Sequence, residues 1–341
     1  MLPQLNSNFL YLLIFLLSLT ACSQQEKDIK ILGTTMGTSF SVQFTDLPKG
    51  QSKEALRELI EQRLDKINAL MSTYDEHSQL SEFNHSRDTG WHGVDKELAE
   101  LVSLSLSVSE QSNGAFDITV GPLVNMWGFG PMKTEFAPPS ETEINIARRS
   151  IGYRHLQVRL EPPAIKKNIV DLYVDLSAVA KGYAVDEIAT ILDEHNIEHY
   201  MVEIGGEVKG KGIARHGDYW RIGVETPEFQ RGNIEEVISL NNIAVATSGD
   251  YRNFVEHNGQ HYSHTIDPRT GSPTSHNLGS VTVLNESAAL ADAWATAFMV
   301  MGANETFTLS TQLNMPILLI TRENHQYKST FNAAMKPFLS H

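Results

Sequence analysis

The hydrophobic pattern of the chain predicts helices and strands in an irregular order. Residues 52–70 form a predicted amphipathic helix, whose apolar stripe consists of Leu56, Leu59, Ile60, Leu64, Ile67 and Met71. Residues 95–112 form a second predicted helix, and Ser140 with Glu143 is a capping box that opens a short helix up to residue 150. Apolar runs predict strands at residues 32–42, 170–174, 200–204, 220–224, 236–240 and 243–247. Because strands and helices do not alternate regularly, the fold class that we expect is α+β.

An alanine-rich segment at residues 287–302 predicts a helix with two oxygen ligands on one face. Ser287 can cap its start, and Gly302 can end it. Asp292 and Thr296 are four residues apart, and the alanines beside them are too small to block another backbone or a ligand. Two hard oxygen ligands on such a face suit Mg²⁺. The alternative is a buried helix in which Asp292 serves the helix dipole and Thr296 bonds back to a carbonyl.

A β-hairpin is predicted shortly before that helix. Asn258-Gly259 lies between two alternating runs, so His257 is expected to pair with Gln260 across a two-residue turn. If the second strand continues in the same register, one of its faces carries Tyr262, His264 and Ile266.

The predicted second strand leads into the turn Asp267-Pro268-Arg269-Thr270-Gly271, which has a donor-rich arginine at its tip. His264 points to the same side, so the histidine and the turn together suit an anion such as a phosphate, close in sequence to the possible metal helix. A single strand histidine that only satisfies its own hydrogen bonds is the alternative.

A further chemical segment begins at Asp175, which ends a strand before a helix predicted from Ala178 to residue 195. Lys181-Gly182 in the first turns of that helix favours an anion nearby, although Asp175 can also be a turn former and Gly182 a packing residue. Gly205-Gly206 interrupts a strand pattern, and such a pair predicts a β-bulge more readily than a ligand site.

The amino terminus predicts a lipoprotein leader. Residues 9–19 are apolar apart from Ser18, and they run into Leu19-Thr20-Ala21-Cys22, which resembles the lipobox of bacterial lipoproteins. Cys22 is the only cysteine, so we expect residues 1–21 to be a signal peptide and residues 22–30 to be a lipidated Cys22 with a polar tether. No Lys or Arg precedes the apolar run, and a secretory signal with an incidental cysteine is the alternative.

Composition limits the partners that we expect. The 341 residues can form one large or two modest domains with an ample core. The chain has 41 acidic and 27 basic residues, a net charge of −14, and no basic stripe, so we expect no nucleic-acid partner.

Taken in order, eight short motifs over roughly residues 31–340 closely resemble the ApbE family, the FAD:protein FMN transferases. We therefore expect residues 31–341 to be one ApbE-like flavin transferase domain. The motifs are Met36-Gly37-Thr38; Ser72-Thr73-Tyr74; residues 114–122 around Ala115-Phe116-Asp117; Asp175-Leu176-Ser177-Ala178 with Lys181-Gly182-Tyr183; Glu203-Ile204-Gly205-Gly206; Ser248-Gly249-Asp250-Tyr251; His264-Thr265-Ile266-Asp267-Pro268 with Thr270-Gly271; and Ala291-Asp292-Ala293-Trp294 with Thr296.

The resemblance implies a two-part α+β architecture related to T-fold domains, with FAD in the cleft between the parts. The FAD site implied in this way is lined by Met36, Tyr74, Ala115, Phe116, Asp117, Asp175, Lys181 and Ile266. The implied Mg²⁺ ligands are the backbone carbonyl of Ala178, the side chains of Asp292 and Thr296, and the position of Ala295. Some members have Asp where this chain has Ala295, and some have an acidic residue in place of Lys181.

The implied reaction is Mg²⁺-dependent transfer of FMN from FAD to a Thr or Ser hydroxyl of another protein, which releases AMP. His264 is the expected base, with Asp267 or Asp250 as alternatives. A metal-dependent FAD pyrophosphatase would use the same residues, whereas a flavin-binding lipoprotein without turnover would not need the metal pair.

By resemblance, the acceptors are membrane redox subunits such as those of the sodium-pumping NADH:quinone reductase. The enzyme is then expected on the periplasmic side of a bacterial inner or outer membrane, held there by its lipid anchor.

Overall fold

A computed structural model of the protein describes residues 28–130, 136–227, 233–250, 254–257, 259–323 and 326–340. Cys22 and the predicted signal peptide lie outside the described residues, so lipidation at Cys22 stays a prediction. Within the described ranges, no helix combines the length and the apolar character needed to cross a bilayer.

An eight-stranded antiparallel sheet runs through the molecule, and the first and last strands of the described chain form its two edges. Its strands, in spatial order, are β1 (Ile29–Thr35), β2 (Thr38–Phe44), β6 (Tyr200–Ile204), β7 (Glu207–Lys211), β10 (Ile243–Gly249), β15 (Leu278–Asn285), β16 (Ile317–Glu323) and β17 (Gln326–Phe331). All neighbouring strands are antiparallel, which confirms the α+β class.

The central strands are buried on both faces, and their alternate residues enter two different hydrophobic clusters. In β10, Ala244 and Ala246 belong to the larger cluster, whereas Ile243 and Val245 belong to the smaller one. The same alternation occurs in β16, with Leu319 on the first side and Leu318 on the second. Burial on both faces explains why the sequences of these strands are continuous runs of apolar residues.

Helices cover the larger cluster, and a β-ribbon covers the smaller one. The helices are α1 (Lys53–Met71), α2 (Gln79–His85), α3 (Lys96–Gln111), α4 (Gly121–Met126), α5 (Glu141–Ala147), α6 (Ala180–Glu194) and α7 (Ala288–Gln312). The larger cluster lies beneath α1, α3, α6 and α7. The ribbon consists of β8 (Trp220–Glu225) and β9 (Ile234–Leu240), and the 3₁₀ helix Lys336–Phe338 lies beside it.

Several smaller sets of paired strands lie outside the large sheet. They are the three-stranded sheet of β3 (His92–Gly93), β5 (Pro163–Lys167) and β4 (Leu156–Leu160), the hairpin of β11 (Phe254–His257) and β12 (Gln260–Ser263), and the pair of β13 (Ile266–Asp267) and β14 (Ser272–Pro273). A third apolar cluster, built around Leu123, Trp127, Ile151 and Ile266, joins α4 and α5 to the strands that follow residue 254.

The helix starts agree closely with the sequence. Ser52 accepts a hydrogen bond from the amide of Ala55 (3.1 Å), and the capping box of Ser140 and Glu143 is present in full. One residue of the predicted α1 stripe is misplaced, because Leu59 is exposed.

The strand predicted at residues 170–174 does not form, and these residues make a turn followed by an irregular segment. A second predicted boundary was also wrong, and a third was right only in part. The single strand expected at residues 32–42 is the hairpin β1–β2, which turns at Met36-Gly37, where φ is 49° and 71°. Such a two-residue turn usually contains Asn or Gly at its first position, so methionine did not signal it. Gly302 does break the helix that starts after Ser287, with φ 76° and ψ 173°, but a further helical segment continues from there to Gln312.

A partly buried ion network ties α1 and α3 to α6. Arg63 donates to Glu97 (2.5 Å) and Glu187 (2.6 Å), and Glu97 also accepts from Lys66 and from the hydroxyl of Tyr183 (2.9 Å). Burial alone would raise the pKa of Glu97, but the hydrogen bonds from Arg63, Lys66 and Tyr183 outweigh it and lower the pKa to about 2.

We expect Glu97→Gln to lower the free energy of unfolding by roughly 2 kcal/mol at pH 7. Because the folded pKa of Glu97 is depressed below its ordinary value of 4.5, its contribution is present above that pH and is lost as the pH falls toward about 2. Urea unfolding between pH 7 and pH 3 should therefore show the difference from the wild type shrinking. Glu100→Gln, which changes an exposed pair with Lys96, is the matched control and should show little difference at any pH. A difference for Glu97→Gln that stays constant with pH would contradict this account.

Candidate active site

A cavity of about 890 Å³ lies where the three apolar clusters meet. This volume is in the range of sites that enclose a large cofactor. Its walls come from the loop before α4, the start of α6, the β6–β7 turn, strands β8 and β10, the segment after β12, and one face of α7.

The crossing of α6 and α7 positions two of the charged groups in this cavity. A Cβ atom on Gly182 would lie 2.2 Å from the carbonyl oxygen of Ala288 and 2.8 Å from Cα of Ala289, so only glycine permits this approach. At the same crossing the amide of Gly182 donates to Oδ2 of Asp292 (3.1 Å). The small residues predicted to admit another backbone therefore admit α6.

Asp292 and Thr296 lie on the cavity face of α7, one turn apart. Asp292 is buried, and while its Oδ2 is held by Gly182, its Oδ1 has no hydrogen-bond partner among the described residues. The Thr296 hydroxyl likewise makes no hydrogen bond within the described ranges, so the alternative in which it bonds back to a helix carbonyl is wrong. Two oxygen atoms without partners, side by side, are suited to a hard cation.

The other implied metal ligands differ in their placement. Ala178 lines the cavity together with Asp292 and Thr296, so its carbonyl is available to the same site. Ala295 is fully buried in the larger cluster and is not among the lining residues. In the part of the chain that the structure describes, no group of three His, Cys, Asp or Glu residues is arranged to hold a metal. The donors that line the cavity are oxygen atoms, the kind of ligand that Mg²⁺ takes, and this ion needs few protein ligands because it keeps water and phosphate oxygens.

Lys181 joins Asp292 to a carboxyl group that the sequence did not single out. Its Nζ lies 2.8 Å from Oε1 of Glu207 and 3.6 Å from Oδ2 of Asp292. Burial, together with the charge of Asp292, raises the pKa of Glu207 well above its usual value. Burial acts to lower the pKa of Lys181, but Asp292 and Glu207 outweigh it and raise that pKa.

Glu207 was missed because the glycines before it were read as a β-bulge. Gly205 and Gly206, with φ of 62° and 106°, form the two-residue turn between β6 and β7, where Ile204 pairs with Glu207. The predicted bulge was therefore wrong. A Gly-Gly pair between two strand patterns is also a hairpin signal, and that interpretation would have placed Glu207 at the turn.

The loop before α4 contributes Ala115, Phe116 and Asp117 to the cavity wall. The carboxylate of Asp117 is held inside the protein, where it accepts from the amide and hydroxyl of Thr119 (2.8 and 2.6 Å) and from the amide of Tyr153 (2.9 Å). Burial raises its pKa in spite of these hydrogen bonds. Asp117 therefore fixes the shape of the loop that faces the cavity.

Asp175 lies beside this loop and forms a turn. Its Oδ1 accepts from the amide (2.8 Å) and hydroxyl (2.5 Å) of Ser177, and its own amide donates to the carbonyl of Ile118 (2.7 Å). The turn-former interpretation of Asp175 is thus correct, and the residue still lines the cavity beside Lys181.

The predicted hairpin register is confirmed, since His257 pairs with Gln260. The strand stops at Ser263, however, and Ile266 belongs to a separate strand pair, so the expected continuous face does not form. His264 and Ile266 nevertheless both line the cavity, and the ring of His264 lies edge-on to Phe129, with ring centres 6.3 Å apart.

The two acidic alternatives to His264 are held by arginines. Arg269 binds Asp267 through Nε (3.0 Å) and also reaches Glu305. Its guanidinium is therefore committed to these carboxylates, whereas the sequence had predicted that it would hold an anion. Asp250 is buried and accepts hydrogen bonds from Arg322. His264 is therefore the better-placed candidate for a base.

Met36 and Tyr74 are not among the cavity-lining residues. Met36 is half-buried in the β1–β2 turn, next to Thr38, whose side chain lies against Gly205. Tyr74 is 76% exposed on a segment that reaches Tyr173, near Asp175. Both residues can meet a ligand only if it extends beyond the cavity.

Comparison with known proteins places this arrangement among the flavin transferases. A flavin transferase ApbE from Vibrio cholerae superposes with a TM-score of 0.85 at 38% identity, covering 92% of this chain and 99% of that one. An apo flavinyl transferase ApbE from Pseudomonas stutzeri gives 0.84 at 33%, covering 92% and 96%. The fold is therefore the mixed helix and strand fold of these enzymes.

The sequence comparisons agree. The model of the ApbE family matches residues 36–319. A protein of Vibrio cholerae serotype O1 named FAD:protein FMN transferase is 39% identical over 98% of this chain and 99% of its own length. One of the same name from Salmonella typhimurium is 37% identical over 90% and 88%. This chain belongs to the ApbE family.

We expect Gly182→Ala to destabilise the protein by about 2 kcal/mol or more, because the new methyl group meets backbone atoms that cannot rotate away. Thermal and urea unfolding would measure the loss. Gly93→Ala is the control, since a Cβ there meets no atom within 4 Å. Equal unfolding midpoints for the two variants would show that the helix crossing tolerates a side chain.

Proposed function

We propose that this protein transfers FMN from FAD to a serine or threonine hydroxyl of an acceptor protein, with Mg²⁺, and releases AMP. The observation that carries the proposal is that one cavity of cofactor size is lined both by a histidine, His264, and by Asp292 and Thr296, each of which has an oxygen without a hydrogen-bond partner in the described chain. The relatives named FAD:protein FMN transferase support the same activity.

FAD is the substrate that this cavity is proposed to bind. Ala115, Phe116, Asp117, Asp175, Lys181 and Ile266 all line it, and Asp175 is hydrogen-bonded to the loop that carries the first three. Tyr74 and Met36 lie outside the cavity and would contact the part of this long ligand that extends beyond it. Lys181 lies between Asp292 and Glu207, where its ammonium offsets their negative charge.

Asp292, Thr296 and the carbonyl of Ala178 would hold the Mg²⁺. Bound there, the ion would neutralise the charge that grows on the pyrophosphate oxygens as the phosphorus is attacked. The residues of the chain fix the position: the amide of Gly182 donates to Oδ2 of Asp292, which leaves Oδ1 available to the ion.

His264 is proposed to accept the proton of the acceptor hydroxyl. The hydroxyl oxygen forms a bond to the FMN phosphorus while the bond from that phosphorus to the AMP oxygen breaks, and the proton passes to the imidazole. FMN is then joined to the acceptor through a phosphoester, and AMP leaves with the electron pair of the broken bond. The walls around His264, which include Ile266 and Phe129, limit the access of water.

The acceptor and the location follow from the same proposal. A membrane redox subunit with an exposed Ser or Thr segment, such as one of the sodium-pumping NADH:quinone reductase, is the proposed acceptor. Lipidation at Cys22 would hold the enzyme on the periplasmic side of a bacterial membrane, where such segments are exposed.

We expect Asp292→Ala to lower acceptor labelling by about 100-fold or more, because the carboxylate proposed to hold the Mg²⁺ is lost. The measurement combines the purified protein, FAD, Mg²⁺ and an acceptor subunit, and it follows denaturation-resistant flavin fluorescence on the acceptor together with AMP. EDTA should abolish labelling of the wild type. Asp218→Ala, which removes an exposed carboxylate outside the cavity, should label normally. Free FMN and AMP without labelled protein would indicate a pyrophosphatase, and bound FAD without any product would indicate a flavin-binding protein.

We expect His264→Gln to slow labelling by about 10²–10⁴-fold while the affinity for FAD changes little, because the imidazole acts on the acceptor proton. Single-turnover labelling and FAD titration separate the two effects. His216→Gln changes an exposed histidine away from the cavity and is the control. A loss of FAD affinity that accounts for the whole decrease in rate would mean that His264 only positions the flavin phosphate.

A further inference from the structure

One ammonium group is shared between two carboxyl groups that differ in their surroundings. Nζ of Lys181 lies closer to Glu207 (2.8 Å) than to Asp292 (3.6 Å). Asp292 lines the cavity, and the oxygen paired with Lys181 is Oδ2, which also accepts from the amide of Gly182. The ammonium therefore offsets the charge of the expected metal ligand at Oδ2, while Oδ1 has no hydrogen-bond partner in the described chain.

Glu207 keeps one oxygen atom without a partner. Its side chain is 6% exposed, and Oε2 is buried with no hydrogen bond to any described residue. A buried carboxyl oxygen that is left unsatisfied is costly, so such an atom calls for a partner in another state of the protein. Oε2 is itself shielded from solvent, which argues against Glu207 as a direct metal ligand.

Lys181 already binds the other oxygen, Oε1, of the same carboxyl group. The cavity leaves its side chain 27% exposed, and Gly205 lies against its stem. A Cβ atom on Gly205 would lie 3.1 Å from Cδ of Lys181, so the absence of a side chain there leaves the stem free to shift. A short movement of the ammonium from Asp292 toward Glu207 would give Oε2 its missing donor.

We propose that Lys181 is a displaceable counter-ion of the metal site and that Glu207 is the positioning residue that takes over its ammonium group when a divalent cation binds at Asp292. The inference rests on the function proposed above, since it deepens the account of the same site. In the metal-free protein the ammonium offsets the charge of Asp292. When a cation arrives, repulsion moves the ammonium away, and the two oxygens of Glu207 hold it.

The test measures Mn²⁺ binding by calorimetry to the purified protein without FAD. We expect Lys181→Met to tighten Mn²⁺ binding by about tenfold or more, because a competing positive charge beside Asp292 is removed. Glu207→Gln should weaken binding by about tenfold, because Lys181 then stays on Asp292. Lys209→Met removes the lysine of the neighbouring pair with Asp186, outside the cavity, and should leave Mn²⁺ binding unchanged.

The combined variant Lys181→Met with Glu207→Gln decides how Glu207 acts. If Glu207 works through Lys181, the Glu207 change has no effect on Mn²⁺ affinity once Lys181 is absent, and the combined variant binds like Lys181→Met. The combined variant removes both charges of the ion pair, so it can replace Lys181→Met if that variant alone folds poorly. In that case we expect the combined variant to bind Mn²⁺ more tightly than Glu207→Gln does. Thermal unfolding checks that all variants are folded.

Two results would overturn the inference. The first is that Lys181→Met binds Mn²⁺ no more tightly than the wild type, or that the combined variant binds it no more tightly than Glu207→Gln, while Asp292→Ala abolishes binding. That result leaves the metal site intact and rejects only the counter-ion. The other is an equal loss from Glu207→Gln in both backgrounds, which would make Glu207 a direct ligand. Failure of the wild type to bind Mn²⁺, with flavin transfer continuing in EDTA, would instead reject the proposed metal dependence itself.

Discussion

The contact between Gly182 and the first turn of α7 is the constraint on which the site depends. Two helices approach until backbone meets backbone at Ala288, a distance that no residue with a Cβ allows. This approach lets a main-chain amide hold one oxygen of Asp292 in the interior, where a charge would otherwise be costly. It also carries Lys181, one residue earlier, to the same carboxylate. The helix crossing thus organises the electrostatics of the cavity.

Several carboxylates in and around the cavity are held by fixed hydrogen-bond donors of the protein. Asp250 and Asp267 each bind an arginine, and Asp117 is satisfied by backbone and threonine donors. These acidic groups therefore have their hydrogen-bonding capacity largely committed to the protein. An anionic substrate would otherwise meet repulsion from every unpaired carboxylate on the wall. Asp292 differs from them, because it lines the cavity and its Oδ1 has no hydrogen-bond partner in the described chain.

Much of the fold could be predicted because its signals are local. Ser52 and Ser140 cap helices as their side chains dictate, and Asn258-Gly259 sets the register of its hairpin. Met36 could not be predicted as a turn residue, because a methionine with positive φ is held there by its surroundings rather than by its own preference.

The sequence predicted those parts of the site whose geometry follows from residue spacing, and it missed those that depend on the packing of distant segments. Asp292 and Thr296 share a face because a helix places residues four apart together, and the structure has them on one cavity wall. The partnership of Glu207 with Lys181 joins two distant segments through the β6–β7 turn, and no spacing rule connects them. The guanidinium of Arg269 was similarly misjudged, because its carboxylate partner Glu305 comes from a remote part of the chain.

The order of strands in the large sheet has a consequence for how the protein is made. Read across the sheet, the strands follow their order along the chain, so each new strand adds to an exposed edge and none has to insert between two that are already paired. Assembly can therefore advance from the amino terminus as the polypeptide emerges. The helix that carries Asp292 comes between β15 and β16, near the end of that sequence. A nascent chain can thus pair most of its sheet before the helix that carries Asp292 and Thr296 has been made.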